Sequence, residues 1–250
     1  IYTYTESSAA SDVYKRQQYA LLGLRAANEC GARVPGIVFI NVIKRLLASQ
    51  EKSGPKVLRT IGGEKKGEPI YKIDAGDKAR GWSYLDSPYL ATGSMTTAGI
   101  ACLSICHHAL TLKRDGTPRD KPLPIYTSQL NRQVRRAIQD GFAWLDVNFA
   151  VDHNPPRQAA AWHYYYLYGL ERAGILGGRT LIGPHDWYIT GSRYLIGKQK
   201  DDGRWHTGTL GGSDYEGSDV LDTAWAILFL KKATRPAKPI PGPVVTPAPK

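Results

Sequence analysis

Apolar positions recur at helical spacing along most of the chain, and they predict seven helices. The first covers residues 18–30, with Leu21, Leu22 and Leu24 apolar and Gly31 as a stop. The second covers 37–50, with Val38, Val42 and Leu46 on one side. A third, over 94–110, is built of small and apolar residues, and Ser94 is its expected N-cap. A charged amphipathic helix follows over 129–149, and then helices over 158–173, 185–199 and 218–233. Two connections exceed ordinary loop lengths. Residues 51–93 are rich in Gly and Lys and are expected at the surface, and residues 203–217 are Gly-rich and short of apolar side chains.

The order of these helices repeats. A helix ends in a polar residue, an irregular loop carries a tryptophan, and a small-residue helix begins. VIKRLLASQ leads through GWSY to TTAGIACLSI, and GSRYLIGKQKDDGRW leads to LDTAWAILFL. A looser central copy runs from IQDGFAWLDVNF to AAAWHYYYLYGL. The last two helices of the first kind, near Phe142 and Tyr194, start about fifty residues apart, within the range of repeat proteins. Each hairpin leaves an apolar face open until a neighbour stacks on it, so the expected architecture is all-α, a closed toroid or an arc of helical hairpins.

Charge and composition change this picture little. The 250 residues carry a formal net charge of +11. The basic residues concentrate between Lys44 and Arg80 and between Lys113 and Arg136, in loops or exposed helix faces. No nucleic-acid motif accompanies them and the aromatics lie elsewhere, which disfavours a nucleic-acid partner. Three cysteines, Cys30, Cys102 and Cys106, form no disulfide framework and are expected reduced. No apolar run is long enough to span a bilayer.

The two ends read differently from the middle. Residues 1–16 are polar without an apolar period, and SSAASDVYKRQ resembles translated sequencing-adapter read-through. That implies a non-native tail and a native chain truncated near Gln17; the alternative is a disordered tail. Residues 17–234 form the expected repeat domain. The Pro-rich end, 235–250, reads as an extended tail or a linker.

Gln199-Lys200-Asp201-Asp202-Gly203-Arg204-Trp205 resembles the QW motif of squalene and terpenoid cyclases, in which the Gln caps an outer helix and the Trp packs beneath the following turn. Asp222-Thr223-Ala224-Trp225-Ala226 resembles the DTAWAL run of that superfamily's inner helices, and Gly81-Trp82-Ser83-Tyr84 with Gly99–Leu103 resembles a degenerate earlier copy. The superfamily also includes protein-prenyltransferase β subunits and uncharacterised bacterial repeat proteins. The chain is most similar to the last group, notably in WHYYYLYGLERAG. The resemblance implies an α/α toroid, here an incomplete ring or arc.

The resemblance also makes chemical demands. Class II cyclases protonate an alkene with the middle acid of D-x-D-D; the matching run is Asp219-Val220-Leu221-Asp222, with Leu221 where the donor should stand. Prenyltransferases need an Asp, Cys, His zinc site, and the Asp-x-Cys pairing is absent. Cys102, Cys106, His107 and His108 are the nearest cluster and are read as packing, so no metal and no cofactor is called for.

Trp162, His163, Tyr165 and Tyr166 lie in the densest aromatic run and, with Trp225, form the candidate ligand-binding set. Packing between helices is the equal alternative. Asp222 and Asp219 are the candidate catalytic acids, although Asp219 also suits a helix N-terminus. Glu171-Arg172 reads as a local ion pair. The expected function is a non-catalytic repeat protein holding a hydrophobic small molecule or a peptide on an aromatic-lined concave surface. A terpenoid-cyclase-like enzyme acting on an isoprenoid, and a toroidal polysaccharide lyase or glycosidase, are the alternatives.

Overall fold

A computed structural model describes residues 6–57, 59–65, 68–72, 78–83, 90–113, 116–156, 162–206 and 218–234; for 6–17, 59–65, 68–72 and 218 it describes the backbone alone. Among these residues the protein is predominantly helical. Seven helices, α1 (Glu6–Glu29), α2 (Gly36–Ser49), α3 (Gly93–Thr111), α4 (Ser128–Val147), α5 (His163–Leu176), α6 (Trp187–Lys198) and α7 (Ser218–Leu230), account for every helix expected from periodicity. Helix α1 begins at Glu6, well before residue 18, because nothing from 6 to 17 is Gly or Pro to stop it. Residues 235–250 and the region 207–217 lie outside the described residues.

Two antiparallel strand pairs interrupt the helices. Strands β1 (Arg59–Lys65) and β2 (Glu68–Lys72) form a hairpin within the stretch expected to be loop, with a register shift between Thr60 and Glu64. Strands β3 (Leu181–Ile182) and β4 (His185–Asp186) make a two-residue pair before α6. Asp186 then caps α6, its Oδ1 accepting from the amides of Tyr188 and Ile189 at 3.1 and 2.9 Å.

The odd-numbered helices neighbour one another in succession, α1 on α3, α3 on α5 and α5 on α7. The even-numbered ones lie against them: α2 and α4 pack on α3 and on each other, and α6 packs on α5 and α7. Helix α3 is therefore enclosed, and Gly93 through His108 are all buried. This is why it has no polar face; a helix apolar all round belongs in an interior. Its cap is Thr92, whose hydroxyl accepts from the Met95 amide at 3.3 Å, rather than Ser94. Small residues let the neighbours approach. A Cβ on Gly99 would sit 2.5 Å from the Trp82 ring, and one on Gly141 of α4 would sit 2.9 Å from it. Trp82 is thus wedged between α3 and α4 and is 1% exposed.

The tryptophan loops make matching bonds in two places. Trp82 donates its indole N–H to the Leu46 carbonyl at 2.9 Å, and its amide donates to the Thr96 hydroxyl at 3.1 Å. Trp205 donates its indole N–H to the Leu195 carbonyl at 2.7 Å, and its amide donates to the Thr223 hydroxyl at 3.0 Å. In both places the accepting carbonyl lies four residues before a glutamine, Gln50 or Gln199, which is the C-cap of its helix. An indole N–H is a donor only, and a carbonyl has two lone pairs, so the Leu46 carbonyl accepts the indole as well as the Gln50 amide. The described residues of the α4–α5 connection make other bonds. There Tyr166 donates its hydroxyl to the Ala150 carbonyl at 2.9 Å, and the Asn148 side chain donates to the Trp144 carbonyl.

Candidate functional site

Helix α5 and its N-cap carry four of the seven candidate residues, and the helical periodicity separates them. Trp162, the N-cap, has a left-handed backbone (φ 60°), which a non-glycine residue adopts at a cost of about 1 kcal/mol. Its ring meets that of Tyr165 edge to face at 6.2 Å between centroids, and Tyr165 meets Trp225 of α7 in the same way at 5.5 Å. Tyr165 is 2% exposed and donates its hydroxyl to Gln18 Oε1 at 3.0 Å, so this row of rings joins α5 to α7 and α1. Trp162 and Trp225 are half-buried. Three of the five expected ligand-binding residues are therefore brought together.

His163 and Tyr166 go elsewhere. Tyr166 is fully buried, its ring against Gly93, and its hydroxyl satisfied by Ala150. Burial pushes its phenol well above the usual tyrosine range, so it stays neutral. His163 has Nε2 2.8 Å from the Val151 carbonyl, which fixes the proton on that nitrogen. Burial lowers its pKa, against the Val151 bond and Asp152. Its ring stacks on Tyr164 at 5.2 Å and meets Tyr194 of α6 edge to face at 5.3 Å.

Asp222 belongs to this second group. It is 3% exposed and is close enough to raise the Tyr164 pKa, after burial and Tyr194. Asp219 does not join it. Its Oδ2 accepts from Arg204 at 2.5 Å, and the same guanidinium binds Asp202 at 2.7 Å, all near the surface. Its Oδ1 accepts from the Val220 amide at 2.9 Å. Asp219 thus ties the tryptophan turn to the start of α7. Leu221, between the two acids in the sequence run, is 42% exposed.

The cysteine and histidine residues of α3 are packing groups. Burial pushes the Cys102 thiol up to about 12, despite the charge of Arg172, and raises Cys106 as well. Burial lowers His107 to about 4, helped by Arg135, and lowers His108 to about 3, helped by His107 and Arg25. All four are neutral at pH 7. His107 Nδ1 lies 3.0 Å from the Tyr126 hydroxyl. Among the described residues no group of three or more His, Cys, Asp or Glu side chains is placed to hold a metal ion, and no helix is long and apolar enough to cross a membrane.

One cation was misread from the sequence. Glu171 and Arg172 do not pair with each other. Glu171 is fully buried and accepts from the Thr234 hydroxyl and amide at 2.6 and 3.1 Å. Burial raises its pKa, against those two bonds and the Arg172 charge. Arg172 is fully buried on another face, its guanidinium carbon 3.8 Å from the centroid of the Tyr168 ring. Consecutive residues on a helix point about 100° apart, which is the signal that argued against a pair.

Comparison with protein-family models, with curated proteins and with solved structures finds no match.

Proposed function

We propose that this chain is a squalene-cyclase-like α/α-toroid repeat protein, an incomplete ring or arc, whose aromatic-lined concave side binds an apolar ligand or peptide without transforming it. The observation that carries the reading is the row Trp162–Tyr165–Trp225, which runs from α5 to α7 with both end rings half-buried. Rings that stay partly open beside a buried polar anchor suit an occupant that is mostly apolar. The architecture is supported by the matched bonds of Trp82 and Trp205 and by the alternation of helices between two rows. It is supported too by the resemblance of residues 199–205 to the QW motif. The absence of chemistry rests on Leu221, which cannot donate a proton, and on Asp219 being held by Arg204.

A cyclase-like enzyme is the second reading, and Asp222 is the observation favouring it, because a carboxylate 3% exposed and near Tyr164 suits an acid or base. One experiment separates the two. The chain is titrated with geranylgeraniol, followed by tryptophan fluorescence. It is then incubated with squalene and with geranylgeranyl diphosphate, and products are sought by mass spectrometry. The expected outcome is saturable quenching, weakened about tenfold or more by Trp225→Ala, with no product. No saturable binding would overturn the binding reading, and a cyclised product lost on Asp222→Asn would establish the enzyme.

A further inference from the structure

Arg172 is the one residue among those described whose side chain is both fully charged at any pH a protein survives and wholly enclosed without a partner. It is 0% exposed, and Nε, Nη1 and Nη2 are all buried with no hydrogen-bond acceptor. A guanidinium does not shed its proton to escape this, as a lysine or histidine would. The Tyr168 face at 3.8 Å and the Tyr19 ring at 5.6 Å stabilise the positive charge but accept none of its five N–H bonds. The nearest acid in sequence, Glu171, is committed to Thr234. On α3 the residue that feels the charge is Cys102, a neutral thiol.

A second donor lacks an acceptor on the same side of α5. Gln18 of α1 is fully buried, its Oε1 is used by Tyr165, and its Nε2 has no partner. Tyr165, Tyr168 and Arg172 lie three and four residues apart on α5, so they share the face that meets α1. The junction of α1, α3 and α5 therefore presents a planar fork of donors, a spare amide N–H₂ and two aromatic rings, with no acceptor bonded to those donors among the described residues. Tyr19, at the α1 edge of this junction, is 45% exposed.

We infer that this junction is a binding site for a carboxylate, held in a fork-to-fork pair by Arg172 between Tyr19 and Tyr168. A carboxylate supplies two coplanar acceptors at the spacing of the guanidinium donors and one negative charge against one positive. A phosphate dianion would bury an excess of negative charge. The inference stands on Arg172 alone, independently of what the Trp162–Tyr165–Trp225 row holds. The carboxylate would come either from a free small acid or from the end of an apolar chain.

The test compares sodium acetate and sodium octanoate with sodium chloride at matched ionic strength, read by the melting midpoint of the protein. Acetate or octanoate at ten times its Kd is expected to raise the midpoint by about 3–5 °C over chloride. Octanoate binding at least about tenfold tighter than acetate would identify the end of an apolar chain as the source, and equal affinities a free small acid. Arg172→Met is expected to melt no lower than the wild type in chloride, since an uncompensated buried charge has been removed, and to lose the response. Arg172→Lys, which keeps the charge but not the fork, is expected to weaken binding about tenfold. On the wild type itself, a slowly exchanging arginine Nε–H resonance should shift saturably with acetate, so the inference is decided even if neither variant folds. It is overturned if neither acid gives a saturable response, or if Arg172→Met folds and responds as the wild type does.

Discussion

The turns at Trp82 and Trp205 use the same two bonds, an indole N–H on the carbonyl four residues before a glutamine and an amide on a threonine hydroxyl, yet their surroundings differ. The Trp82 turn is enclosed. Gln50 is 4% exposed and donates to the Arg80 and Ala137 carbonyls, both at 3.0 Å, so the end of α2 is stitched to α4. Asp140 of α4 is 1% exposed and accepts from Arg80 at 2.6 and 2.8 Å and from the Lys78 amide at 3.0 Å. The Trp205 turn is near the surface. Gln199 is exposed and reaches only Gly203, within its own turn, and the Asp202–Arg204–Asp219 pairs face solvent. The same local bonding therefore holds a helix to its loop in both places, but in the first it also joins α2 to α4. Where a neighbour follows, the polar groups of the turn are buried and become structural. Where none follows among the described residues, they stay wet.

The largest difference should come from the tryptophans. Trp82→Ala opens a cavity between Gly99 and Gly141, in rows that cannot close over it, and removes one of the donors to the Leu46 carbonyl, which keeps the Gln50 amide. It should cost about 5 kcal/mol, at the upper end for a large aromatic in a core. Trp205→Ala, 4% exposed near the surface with room to collapse, should cost about 3 kcal/mol. Denaturant melts of the two variants check this, and equal losses would remove the distinction between an enclosed turn and a peripheral one.

The contrast also explains what could be read from the chain. Seven helices were legible because their apolar spacing and their tryptophan loops agree, and in the looser central copy Tyr166 bonds the Ala150 carbonyl. The β1–β2 hairpin was not legible, since RTIGGEKKGEPIYK shows no alternation of apolar and polar residues and reads as loop. Within the candidate site, Trp162, Tyr165 and Trp225 meet as their spacing allows. Tyr166 shares that spacing but turns to Gly93 and Ala150, partners more than fifteen residues away in sequence or on another helix. Spacing gives the face of a helix, not what covers it. For the same reason Arg172 looked like half of a surface ion pair and is a buried charge.

The two acids should differ next. Asp140→Asn removes a carboxylate that is 1% exposed from Arg80 and Arg136, which are themselves 24% and 39% exposed and keep some hydration, at a cost of about 2 kcal/mol. Asp219→Asn removes a pair whose guanidinium is 57% exposed, and the melting midpoint should stay within about 1–2 °C of wild type. High salt sharpens the test, because it screens the second pair more than the first, whose carboxylate is 1% exposed. Asp219→Asn melting as low as Asp140→Asn would mean that the last turn is covered by something that the Trp82 turn shares.

The glutamines give the smallest and most specific test. Each stands at the same place in its turn, so a role set by the turn alone predicts equal losses. Gln50→Ala removes the side-chain donor of two carbonyls, Arg80 in a part-buried and Ala137 in a buried site, and should cost about 1–3 kcal/mol. Gln199→Ala frees one carbonyl that solvent can satisfy at once, so its loss should be below about 0.5 kcal/mol. The cost also has a location. Gln50→Ala should speed amide hydrogen exchange at the end of α2 and in the middle of α4 together, because the side chain links them. Gln199→Ala should affect the 200–204 turn alone. If Gln50→Ala loosened α2 without α4, the side chain would be a helix cap and not a stitch between hairpins, and the two turns would differ only in depth.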